Sequence, residues 1–295
     1  MNVLNERLTP QAASIASFLA ILWGGNNIAI KFSLIGFPPF ALAAVRFVLG
    51  SVFILIWVYV SRVPLRMESG EKQGLFQLAF LFAVQIYLMN EGIHHTLAGR
   101  STIIISTFPF FIALFAHLLI PGDSLSPLKI VGMTLSFLGV ILIFAESFVL
   151  GDFQYLFGDL MVLASGCLLG LRLVYTKRLT QGIHPGKLLL WQGALSIPAF
   201  ILLSLIFEGE HTYRLSSQIV FGILYQGLVI AGFGFILHTI LIKRYVASKV
   251  GVFHFATPLF GVLFSNILLG EAISIGLVGS MILVGVGITI VNYES

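Results

Sequence analysis

Trp23, Asn26, Asn27 and Ile30 follow i, i+3, i+4, i+7 spacing, which sets both amides and the indole on one helical face. An aromatic beside amides suits a small zwitterion. Tyr87, Asn90, Glu91 and His94 repeat the spacing further on, and Arg46 and Arg172 each interrupt an apolar run. A guanidinium offers a planar fork of donors that matches a carboxylate. Tyr175 lies close behind Arg172 and is grouped with it. His238, His254 and Glu91 are the groups able to carry a proton, histidine doing so near neutral pH. Together these types read as the lining of a binding site for a charged or zwitterionic small molecule, not as reaction chemistry. The sequence has no HExxH, GxSxG or Walker motif, and no carboxylate cluster with metal-ligand spacing. No metal or cofactor is expected.

Each of these residues has a plainer alternative. The asparagines could be glue between helices, and the Tyr87 stripe could be ordinary polarity at a helix end. Arg172 could snorkel to an interface, and Arg46 could bond a neighbouring carbonyl or Glu91. A lone histidine in such a run could simply pack.

What must position these groups follows from composition. Of 295 residues, 58% are hydrophobic and 9% charged, against about a quarter charged in a soluble domain. A hydrocarbon core about 30 Å thick needs about 20 apolar residues per helix. Ten such spans are read, near 14–34, 40–60, 74–92, 99–119, 128–145, 156–176, 187–207, 218–241, 250–269 and 274–292. The expected architecture is therefore an all-α polytopic membrane protein. Polar residues inside the spans should face the bundle interior or a wet cavity.

Charge placement sets an orientation. With the N-terminus inside, cytoplasmic segments hold Arg7, Arg62, Arg66, Lys72, Lys129, Lys177, Arg178, Lys187, Lys243, Arg244 and Lys249, while the outside keeps Lys31, Arg100 and Arg214. Basic residues counted this way place both termini in the cytoplasm. The net charge of +4 thus needs no nucleic-acid partner. The expected partners are a small-molecule substrate and the lipid bilayer, with a monomer as the working state. The first span lacks a small-residue cleavage pattern and is expected to be retained. Cys167 is alone and is expected to pack.

The chain also repeats itself. An offset of 149 aligns Pro109 with Pro258, Arg100 with Lys249 and Ala98 with Ala247; after a one-residue slip, Gly139 meets Gly287. An offset of 146 pairs Lys31 with Lys177, Pro39 with Pro185, Arg46 with Gln192 and Asn26 with Arg172. Each half, 14–146 and 156–292, holds five spans. An odd number inverts the second copy, and inverted repeats place substrate near midplane between them. Pro109 and Pro258 should kink spans four and nine symmetrically, as gates or as static bends.

The segments "LWGGNNIAIK", "FPPFALAAVRF", "AGRSTIIISTFPFF", "GDLMVLASGCLLGLRLVYTKRL" and "VASKVGVFHFATPLFGVLFSNILLGEAIS", in this order and duplication, resemble the paired EamA domains of the drug/metabolite transporter superfamily. The resemblance implies ten helices in two inverted repeats around a central cavity, and export of amino acids, related metabolites or drugs across the cell (inner or plasma) membrane. Arg46 matches the family's arginine after the paired prolines, and Trp191–Gln192 the "WQ" of the second half. Arg172 departs from the pattern. Other classes remain: a multidrug efflux permease, a membrane-embedded enzyme using Glu91, His94 and His95, or a channel.

Overall fold

The structure, a computed structural model, describes residues 9–119, 126–150, 153–209, 212–245 and 252–293. These residues are mostly helical, with no β-strand among them. Arg7 and Lys249 lie outside the described residues, as do the end of the expected inner loop and the start of span nine at 246–251.

The helices are α1 Pro10–Leu34, α2 Pro39–Val60, α3 Lys72–His95, α4 Ala98–Ile105, α5 Phe108–Leu119 and α6 Pro127–Leu150. A 3-10 turn precedes α7 Leu156–Leu179, followed by α8 Pro185–Phe207. Then come α9 Ser217–Leu224, a π-helical stretch Tyr225–Gly234 and α10 Phe235–Arg244 as one continuous rod. A 3-10 turn Val252–Phe255 leads into α11 Ala256–Leu269, and α12 Ile275–Tyr293 ends the described chain. Among the described residues seven helical segments are long and apolar enough to cross a membrane; three shorter apolar stretches cover Ile130–Ala145, Ala256–Leu269 and Ile275–Ile290.

Local chemistry sets the helix ends. Thr9 caps α1 by accepting from the Ala12 amide at 3.2 Å, and the Nδ1 of His184 accepts from Gly186 at the start of α8. Pro10, Pro39 and Pro185 open α1, α2 and α8, where a missing amide costs nothing. Two N-termini are capped from far along the chain. The Glu208 carboxylate accepts from the Phe40 and Ala41 amides of α2, and Glu271 from Ala98 and Gly99 of α4, both at 2.8 Å. At the opposite polarity, Lys31 donates to the carbonyls of Ile93, His94 and Thr96 around the end of α3. Each charge sits where the helix dipole favours it.

Spans four and nine are broken rather than kinked. Pro109 is the second residue of α5 and Pro258 the third of α11. A proline in a first turn has no intrahelical bond to lose, so the chain restarts its helix there instead of bending through it. Pro198, by contrast, lies inside an unbroken α8. The expected spans otherwise coincide with helices to within a few residues.

Packing follows small residues. A Cβ on Gly92 would come within 2.9 Å of the Gly158 carbonyl, and one on Gly158 within 2.6 Å of the Gly92 carbonyl. The approach of α3 to α7 is thus set reciprocally. Gly139 of α6 faces Ser280 and Val284 of α12, while Gly287 of α12 faces Gly132 and Ser136 of α6. The outer faces are apolar: Val52, Leu55, Ile56 and Tyr59 form one exposed stripe on α2, with Phe47, Gly50, Ile54 and Val58 turned inward. Arg46, 3% exposed, belongs to the inner face.

Candidate functional site

A buried cavity of about 130 Å³ lies at the centre of the bundle. Span one contributes Trp23, Asn26 and Asn27; α2 contributes Arg46; α3 contributes Gln85, Ile86 and Met89. The junction of α4 with α5 offers Ser106 and Phe108, and the 3-10 turn with the first turn of α11 offers His254 and Thr257. From the second half, α7 adds Arg172 and Thr176, α8 adds Gln192, and the rod 217–244 adds Ile230, Phe235, His238 and Thr239. No Asp or Glu lines it among the described residues.

The walls divide by chemistry. One is aromatic: the Trp23 ring lies 4.8 Å from His238, edge-on, and 5.2 Å from His254, while the two histidines are 5.4 Å apart. Phe108 closes on His254 at 5.2 Å. The other wall is cationic. The Arg46 guanidinium rests 4.7 Å from the centre of the Phe47 ring and that of Arg172 5.0 Å from Phe82, and these two rings pack edge to face at 4.6 Å. Such contacts offset part of the cost of holding a cation away from water.

Hydrogen bonds fix some of these groups and leave others open. Asn27 donates to Ser101 at 3.0 Å, and Gln85 to Ser165 at 2.9 Å. Arg46 donates from one Nη to the Gln226 side chain at 3.4 Å, and Gln226 in turn donates to the Ala29 and Gly222 carbonyls and to Ser33. The acceptor for Arg46 is therefore a side-chain amide and not Glu91, which pairs with His95 at 2.9 Å. Buried polar atoms usually find partners. Six have none among the described residues: Asn90 Oδ1, away from the cavity, and Asn26 Oδ1, Arg46 Nε, Gln85 Oε1, Arg172 Nε and Thr176 Oγ1, which belong to cavity-lining side chains.

Of the residues singled out from sequence, Trp23, Asn26, Asn27, Arg46, Arg172, Gln192, His238 and His254 thus meet at one cavity. Arg172, 7% exposed, lies against Phe82 on this inner wall. Others lie elsewhere. Tyr87 stacks on Phe40 at 4.3 Å, and Asn90 donates to the Pro39 carbonyl. Tyr175 bonds Gln77 beside a separate, shallow apolar groove. Trp191 donates to the Leu65 carbonyl, tying the loop before α3 to α8. Glu91, His94 and His95 bring ligand atoms within 4.8 Å of one another at the exposed end of α3, although neighbouring positions on a helix diverge.

Gln85, Thr176, Ser106 and Thr257 were not singled out. Gln85 and Thr176 carried a signal, a polar side chain within an apolar span, which the longer Tyr87 and Arg172 patterns overshadowed.

The chain was compared with known proteins. The EamA-like transporter family matches it twice, over residues 11–145 and 156–293. It is 22% identical over 271 residues to an uncharacterized transporter, YoaV, of Bacillus subtilis, covering 92% of each chain. It is 26% identical to a probable amino-acid metabolite efflux pump of Salmonella typhimurium, covering 88% of this chain and 87% of that one, and 24% identical to one so named in Escherichia coli. A crystal structure at 18% identity shares the fold, with a TM-score of 0.73 over 96% of this chain and 98% of the other. A helical bundle around an internal cavity, matched twice along its length, is accounted for by one conclusion: the chain belongs to the EamA-like transporter family.

Proposed function

We propose that this protein is a secondary transporter that exports amino acids or related small metabolites by alternating access through the central cavity. Its ten spans are read as two inverted five-span repeats, with both termini in the cytoplasm of a cell-membrane protein. The observation that carries the reading is the cavity itself. It is lined from both halves of the chain and concentrates the unpartnered buried polar atoms of the described bundle. An apolar bundle has no packing reason to gather such atoms at one place.

The packing supports the repeat. The pairing of α3 with α7 has its counterpart, five spans on, in the rod 217–244 against α1. Likewise α1 against α11 corresponds to α7 against α4 and α5, and α2 against the rod to α8 against α3. In this reading the two broken spans are the moving parts, because each break ends at the cavity and α4 packs on α11. Pro109 and Pro258 then keep each restart in place. His238 and His254, packed against Trp23, are the groups available for proton coupling.

Counterflow in sealed vesicles tests the reading. Protein loaded with unlabelled solute should accumulate the labelled solute saturably and return it chemically unchanged; flux that no competitor reduces would indicate a channel, and altered solute an enzyme.

A further inference from the structure

Among the described residues the cavity is lined by two arginines and no acid. Arg46 and Arg172, 3% and 7% exposed, come from different halves, each seated on one ring of the Phe47–Phe82 pair. Each keeps an Nε without a partner among the described residues, and among them the 3.4 Å donation from Arg46 to Gln226 is the only hydrogen bond of either guanidinium. A buried charge without a counter-charge is held at a cost that aromatic contact offsets only in part. Facing the same space are two unpartnered amide oxygens, Asn26 Oδ1 and Gln85 Oε1, which accept but cannot donate.

We propose that the solute completing this site is a small acid with two carboxylates, one for each arginine, and an N–H or O–H between them for the amide oxygens. The inference rests on the transport reading above and deepens it by naming the solute class. Charge agrees. A monocarboxylic zwitterion would leave one guanidinium without a counter-charge and set its ammonium among cations, and a cationic solute would meet only repulsion.

The test uses the full chain, purified for thermal-shift binding and reconstituted for counterflow. L-malate and L-glutamate are the probes, with L-glutamine as the neutral isostere and L-lysine as the cation. At least one acid should stabilise the protein and exchange, about tenfold or more tighter than glutamine, with lysine inert. Arg46→Gln and Arg172→Gln should each weaken the acid about tenfold or more and erase its margin over glutamine. Arg172→Lys should recover part of the loss, since it keeps charge without the fork. Melting without probe shows which variants are folded, and the comparison of probes on the unaltered protein decides even if none is. Glutamine or lysine binding as well as the acids overturns the inference. So does failure of both acids to bind, or acid preference surviving in folded glutamine variants. Acid binding with no flux would leave the site standing and remove the transport reading; flux of neutral solutes independent of both arginines would do the reverse.

Discussion

Two places in this bundle bury arginine, and they do it differently. Arg100 at the start of α4 is bonded by both Nε and Nη2 to Asp159 at the start of α7, which also accepts from Thr96; Arg100 further reaches the Ile143 carbonyl. There the chain supplies the counter-charge and fills its hydrogen bonds. Arg46 and Arg172 have aromatic rings beneath them and no carboxylate from the chain among the described residues. Burial alone therefore does not distinguish a structural arginine from one kept for a ligand. The partner does: a charge satisfied by its own chain serves the fold, and one left open serves something that arrives later.

That contrast is broken most directly at Asp159. Asp159→Asn leaves the Arg100 guanidinium buried beside a neutral amide, and breaking such a pair costs about 3–5 kcal/mol. Folded yield in the membrane and melting temperature should fall steeply. Replacing both partners together, Arg100→Met with Asp159→Leu, should restore most of the loss, because two well-packed apolar groups replace an ion pair at little net cost. A double variant no better than the single one would mean that Thr96 and the Ile143 carbonyl hold the junction.

Arg172→Gln is the opposite case. Removing an unpaired buried cation should leave melting unchanged or raise it by about 1 kcal/mol, while transport falls about tenfold or more. If stability fell as far as with Asp159→Asn, Arg172 would be another structural arginine and the contrast would be lost.

The sequence made one side of this comparison far more legible than the other. Trp23, Asn26, Asn27, Arg46 and Arg172 stand out because a polar group in lipid needs a reason wherever it points. The long apolar helices were legible for the same reason, since a helix in lipid must satisfy its own backbone. Arg100 read as an outside charge at the end of span four, yet it is 7% exposed. Its partner lies 59 residues on, and nothing local announces a tertiary pairing. Nor could periodicity choose between two faces of α3, where Gln85 lines the cavity and Tyr87 stacks on Phe40. Where lipid and core are equally apolar, a helix carries no sign of which face is inside. The π-helical turn at Tyr225–Gly234 left no recognisable mark either.

The broken spans give a smaller effect. Pro109→Ala and Pro258→Ala let the helices run on through 106–107 and 252–255, so turnover should drop several-fold with solute binding within about twofold. Both variants should melt near the unaltered protein, since first-turn prolines give up no intrahelical bond. Unchanged turnover in both would reduce the breaks to packing.

The smallest effect belongs to a third ion pair, Lys187 with Glu71, where α8 begins beside the loop before α3. Burial pushes the Glu71 carboxyl up, but the Lys187 ammonium and the Glu68 amide outweigh it and hold it below the usual carboxylate range. A carboxyl with a lowered folded-state pKa binds fewer protons folded than unfolded, so its stabilisation is complete above the ordinary value near 4.5 and is lost as pH falls below it. Glu71 keeps 14% of its side chain exposed where Asp159 keeps none, so the pair's worth should fall below that of Arg100–Asp159. The melting difference between the unaltered protein and Glu71→Gln should be flat from pH 7 to about pH 5 and shrink toward pH 3.5. Added salt should shrink it as well, whereas the Asp159→Asn deficit should barely respond to salt, because a pair sealed from solvent is screened little. A Glu71 difference that ignored both pH and salt would show that the residue acts there by packing rather than by its charge.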